Sequence, residues 1–100
     1  MSAHVLEIVR FKLNPKVGEN EFLASVPKTD RFLQTRKGFV SRRLSKAPDG
    51  VWTDIVEWTD AMSAKVAAEA IMMEVAVGPF MQAIDPATVE MSHQDIKFAA

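Results

Sequence analysis

Residues 4–13, HVLEIVRFKL, are a β-branched and aromatic run that is apolar on both of its faces. Strand alternation puts Val5, Glu7, Val9, Phe11 and Leu13 on one side and His4, Leu6, Ile8, Arg10 and Lys12 on the other. Over its first half such a strand must be covered twice, once from each side. Asn14-Pro15 ends it with a turn signal. The demand is severe because 100 residues make one domain, 1–100, with few elements to spend on cover.

Two further strands are predicted at Phe39–Lys46 and Val51–Thr59, joined by Ala47-Pro48-Asp49-Gly50. Asp-Gly between alternating runs marks an antiparallel hairpin, because its turn needs a positive φ. A fourth strand spans Thr88–Phe98, with Val89, Met91, His93 and Asp95 on one face. The segment Gly18–Lys37 reads as helix, with Phe22, Val26, Thr29 and Leu33 in one stripe and Leu23 and Phe32 beside it. Pro27 falls inside that segment. Either the helix kinks there, or it ends near Ser25, which then caps a second helix. Thr59 or Asp60 can cap another helix over Ala61–Ala76, with Met62, Val66, Ala70, Met73 and Val77 as its stripe and Gly78-Pro79 as its stop. Phe80–Ile84 can add a short helical turn.

The order β-α-β-β-α-β is the split βαβ, ferredoxin-like pattern: an α+β fold with a four-stranded antiparallel sheet in the order 4-1-3-2. Its two helices cover one sheet face. Leu6, Ile8, Val51 and Ile55 are left on the other, an apolar patch unusual for a monomer. At ~25 cal/mol per Å² of apolar area, a second sheet laid on it contributes several kcal/mol. A homodimer through this sheet face, a dimeric α+β barrel, is therefore expected.

Composition narrows the function. Twelve Lys and Arg against 13 Asp and Glu give a net charge of -1, which argues against a nucleic-acid partner. No apolar run reaches the ~18 residues of a membrane span, and Met1–Leu6 lacks the layout of a signal peptide, so a cytoplasmic protein is the default expectation. The chain has no cysteine, which removes disulfides, thiolate metal sites and thiol nucleophiles. No metal-ligand cluster, phosphate loop or nucleophile elbow stands in the sequence.

Gly38-Phe39-Val40 at the start of the second strand and Asp54-Ile55-Val56-Glu57-Trp58 at the end of the third carry a resemblance over almost the whole chain. The Ala-rich helix that follows, and the Gly-Pro-Phe segment leading to the last strand, complete it. In these features the chain resembles the antibiotic biosynthesis monooxygenase-like group of the dimeric α+β barrel superfamily. The resemblance implies a pocket between sheet and helices. Its range of activities runs from cofactor-independent oxygenases of quinol-like or polyketide aromatics to haem-degrading oxygenases, lactone isomerases and stress-induced proteins. Haem-degrading members are similar to one another in a tryptophan and a ligating histidine on the second helix; Ala61–Ala76 has neither, so no cofactor is implied. The polyketide oxygenases use Asn, Trp and Tyr around the substrate. This chain has no tyrosine, and its asparagines, Asn14 and Asn20, lie outside the strands. Trp58 alone has a counterpart.

The residues themselves nominate a site. His93 shares a strand face with Val89 and Met91 and is expected to point into an apolar environment. If faces align, Glu7 and Asp54 approach it from other strands, and a carboxylate that orients an imidazole makes a base able to take a phenolic or enolic proton. The alternative is a histidine satisfied by a neighbour or exposed at a sheet edge. Trp52 and Trp58, on one face, can wall an aromatic pocket or serve as core. Arg42 and Arg43 point to opposite faces, and one can hold an anionic group. Met62, Met72, Met73, Met81 and Met91 suit an adaptable cavity, though a methionine-rich core gives the same pattern. The expected function is a small cofactor-independent monooxygenase, or a related proton-transfer enzyme, on an aromatic or enolic substrate. A non-catalytic dimer that binds a small apolar ligand or serves a stress role is the alternative, and a regulatory or assembly domain the third.

Overall fold

A computed structural model describes residues 4–100. Met1–Ala3, part of the stretch read for a leader, lie outside the described residues. The elements are β1 (Val5–Phe11), α1 (Glu19–Gln34), β2 (Phe39–Lys46), β3 (Trp52–Trp58), α2 (Ala61–Ile71), α3 (Gly78–Ala83) and β4 (Glu90–Asp95). Single 3-10 turns at Val75–Val77 and Pro86–Thr88 flank α3. The sheet is antiparallel in the order β2-β3-β1-β4, the ferredoxin-like order expected, with β1 central.

The β2–β3 hairpin closes through Ala47 N–H to Val51 O at 2.8 Å and Gly50 N–H to Ala47 O at 3.0 Å. Gly50 takes φ +90°, the left-handed conformation a three-residue loop of this kind requires. Helix α1 runs from Glu19 to Gln34 through Pro27, so it does not end near Ser25 and no second helix is capped there. Ser25 Oγ instead donates to Phe22 O at 2.6 Å. A proline inside a helix costs about 3 kcal/mol. Phe22, Phe32 and Leu33 are buried on the same helix, and at roughly 1.5–3 kcal/mol each they outweigh it.

Helix α2 departs from its expected stripe and length. It ends at Ile71, not Ala76, and it turns Ser63, Ala64 and Ala67 to the sheet while Met62 and Val66 face outward. Beyond its end Met73 is exposed, and of the expected stripe Val77 is buried in the core with Ala70 packed against it. Small side chains let the helix backbone approach the sheet closely, and that close approach outweighs the burial of bulkier methionines. Pro79 begins α3 rather than stopping α2, since a proline's missing N–H costs nothing in a first helical turn.

Two clusters make the core. Phe32, Leu33, Val56, Trp58, Ala64, Ala67 and Val77 form one; Phe11, Phe22, Trp52, Phe80 and Ala83 form the other. Leu6, Ile8 and Ile55 belong to neither and remain half-buried on the opposite sheet face. Among the described residues no single helix is long and apolar enough to cross a membrane.

Candidate active site

Strand register sets the site. On the helix-facing side of the sheet, His93 pairs with Glu7, Glu7 with Val56, and Val56 with Arg42, so one row crosses all four strands. The next row is Met91, Val9, Asp54 and Leu44. Above these rows, between the two core clusters and the helices, lies a cavity of ≈ 290 Å³. A cavity of about 150 Å³ takes one benzene ring, so this one has room for about two fused rings.

Its ionisable lining is Glu7, Arg42 and Asp54; most of the rest is apolar, Phe11, Leu33, Val56, Trp58 and Phe80 among it. Arg42 and Asp54 satisfy each other. Arg42 Nε donates to Asp54 Oδ1 at 3.0 Å and Nη2 to Oδ2 at 2.7 Å. Arg42 Nη1 donates to the buried Thr29 hydroxyl at 2.8 Å, and that hydroxyl donates to Val26 O at 2.7 Å. The guanidinium also lies 5.3 Å from the Phe80 ring centre. This clasp ties α1, β2, β3 and α3 together in the cavity wall, and the more exposed Asp30 Oδ1 lies 3.7 Å from the same Arg42 Nη1.

Glu7 is held differently. Its Oε2 lies 3.1 Å from His93 Nε2, with the carboxylate side chain 12% exposed and the imidazole 45% exposed. Glu7 walls the cavity and His93 does not. The expected apolar surroundings of His93 are therefore corrected: β4 is an edge strand, exposed along its whole length, and the ring stands at its wet side. Asp54 does not join it, because β1 lies between their strands and Arg42 occupies both carboxylate oxygens.

The tryptophans part company. Trp58 is fully buried, lines the cavity and meets Phe39 edge-on at 5.9 Å. Trp52 packs edge-on against Phe22 at 4.9 Å in the second core cluster, away from the cavity lining. Met91 lines the cavity. His4, at the strand's other face, pairs with Glu57 through Nδ1 and Oε2 at 2.7 Å. Sequence reasoning missed Thr29 as the partner of Arg42 and Phe80 as a cavity wall. A threonine inside an apolar helical stripe, at register with a strand arginine, was the available signal for the first.

No protein-family model and no curated protein matches the chain. Solved structures do. The chain is similar to a mutant form of SnoaB, a cofactor-independent oxygenase from Streptomyces nogalater: 19% identity, 98% of this chain and 97% of that one covered, TM-score 0.74. A Bordetella bronchiseptica protein assigned to the antibiotic biosynthesis monooxygenases matches at 14% identity over 97% of this chain and all of that one (100%), TM-score 0.81. The monooxygenase of the gene ActVA-Orf6 from Streptomyces coelicolor, solved with the ligand Nanaomycin D, matches at 13% identity over 98% and 91%, TM-score 0.69. Over its described residues the chain has the fold of these antibiotic biosynthesis monooxygenases.

Proposed function

We propose that this chain is a small cofactor-independent monooxygenase, or a related proton-transfer enzyme, acting on a planar aromatic or enolic substrate held between the sheet and the helices. The observation that carries the proposal is the position of Glu7: a carboxylate in the wall of an otherwise apolar cavity, with one oxygen on an imidazole that reaches water. Aromatic rings match the apolar walls and the cavity's volume. Glu7, not His93, is the group a bound substrate meets, so Glu7 takes the phenolic or enolic proton and His93 orients it and passes the proton to solvent. The carbanion left behind gives one electron to dioxygen and joins the superoxide through a new C–O bond. The hydroperoxide then breaks its O–O bond and loses water, leaving a carbonyl, so that the substrate supplies all four electrons. Arg42, saturated by Asp54 and Thr29, braces the cavity wall rather than capturing an anion.

The neighbours support this reading through a shared fold and through what two of them are, an oxygenase without a cofactor and a monooxygenase with a ligand bound. Oxygen uptake with a panel of two-ring hydroquinones tests it. Turnover by the wild type that drops at least a hundredfold in Glu7→Gln is expected; equal rates would remove Glu7 from the chemistry. The second reading, binding without turnover, is favoured by the mutual saturation of Arg42 and Asp54, and it predicts ligand affinity with no oxygen uptake.

The protein is further proposed to work as a homodimer in which the Leu6, Ile8 and Ile55 faces pack together. The helices already occupy the other face, and cytoplasmic residence accords with the composition.

A further inference from the structure

Much of the cavity lining is buried, Phe11, Trp58, Thr29 and Asp54 among it, but four of its large apolar residues are exposed. Met72, Met81, Val89 and Met91 line the same cavity yet are 72%, 41%, 42% and 55% exposed, so they have one side in the cavity and one in water. They come from three separate segments: the end of α2, the middle of α3, and β4 with the residue just before it. Exposed apolar side chains converging from three segments on one opening mark a surface meant to be covered. Thioethers are flexible and polarizable, and fit chains of varied shape better than branched side chains do.

Resting on the proposed cavity reading, we infer that Met72, Met81, Val89 and Met91 form a second, apolar subsite at the mouth, which takes an alkyl chain carried by the ring system bound inside. The ligand class is thus an amphiphile: a two-ring phenol or enol whose oxygen meets Glu7 and whose chain lies outward across the methionines. A ligand of this shape covers the collar that a bare ring leaves wet. The occupant is a small molecule and not a protein, because the collar is continuous with the interior of the cavity.

The test uses 2-hydroxy-1,4-naphthoquinone and its 3-butyl and 3-octyl derivatives, with affinities for the full chain read by calorimetry. The transfer of one methylene out of water corresponds to about a fourfold gain in affinity. A gain of two- to fourfold per methylene is expected up to the butyl chain, with a plateau once the chain outruns the collar. In Met72→Ser with Met81→Ser that gain should fall below 1.5-fold per methylene. The readout is a ratio within one variant, so a general loss of ring binding does not mimic it, and both residues are exposed enough for the variant to fold. Binding of the parent ring with no gain from the chain overturns the subsite and leaves the cavity reading standing. An equal gain in the double variant also overturns it. Failure of every compound to bind overturns both.

Discussion

Arg42 and Asp54 form a two-point ion pair across β2 and β3, at 2.7 Å and 3.0 Å, with side chains only 5% and 12% exposed. Removing one partner of such a pair strands a buried charge and costs about 3–5 kcal/mol, whereas replacing both with apolar groups of similar volume is close to neutral. Arg42→Met and Asp54→Leu should each lower stability by that amount. The double variant should recover most of the loss. Urea unfolding midpoints of the four proteins decide it, and additive losses would show that the two charges are not acting as a pair.

The Glu7–His93 contact makes a separate prediction about rate. Loss of a general base commonly costs 10²–10⁴-fold, while loss of a group that orients it or relays its proton costs less. Glu7→Gln should therefore be the more damaging change and His93→Ala the milder one, on whatever substrate the oxygen-uptake panel identifies. The opposite ranking would return the base role to His93.

Gly38 sits at φ +86°, and a Cβ built there would lie 2.8 Å from Thr59 Oγ1 and closer still to the Ser63 side chain. Gly38→Ala combines the left-handed penalty of about 1–2 kcal/mol with overpacking of about 1–3 kcal/mol. The expected loss is roughly 2–5 kcal/mol, measurable as a drop in thermal midpoint. Gly18, with open space around it, should tolerate the same change far better.

Asp60 caps α2 by accepting from Ser63 N–H at 2.8 Å. That backbone hydrogen bond is the main reason its carboxyl titrates below the ordinary value; the Thr59 and Ser63 hydroxyls and Lys37 add to it, and burial opposes it. A carboxyl depressed by folding stabilises the native state fully above about pH 4 and loses that contribution as the pH falls through its folded value. Asp60→Asn keeps a cap but cannot titrate. It should lose less stability than the wild type between pH 5 and pH 2. Identical acid profiles would assign the acid sensitivity to other groups.

For the proposed dimer, light scattering at neutral pH should give twice the 11.1 kDa of one chain. Ile8→Asp puts a charge at the centre of the uncovered sheet face and should return the mass to that of one chain. A wild-type mass of a single chain removes the dimer outright.

Much of the fold was legible because its signals are local. The strands follow from two-residue periodicity, the Asp49-Gly50 turn from a backbone torsion, and the four-strand order from the β-α-β-β-α-β succession of elements. Helix α2 misled because its alanines carry little hydrophobic signal, yet their small size is what lets the helix sit on the sheet. At Pro27 only the alternative of a helix ending near Ser25 failed, because the burial of Phe22, Phe32 and Leu33 on either side outweighs the local break.

The site shows the same division. Alternation groups Glu7 with Val9 and His93 with Met91, but which faces of neighbouring strands align is not in it. In β2 a bulge between Phe39 and Ser41 breaks the alternation, so that Arg42 rather than Arg43 shares the side of Phe39. Which residues touch is not in it either, because a slip of register by two residues keeps every face and changes every partner. Sequence alone determined the strand order and the apolar character of both sheet faces. Only the tertiary structure decided that Asp54 belongs to Arg42, that Glu7 faces the cavity and His93 the water, and that the methionines stand at an open mouth. Pairing across strands and the depth of a side chain are properties of the assembled layers, and no periodicity along the chain encodes them.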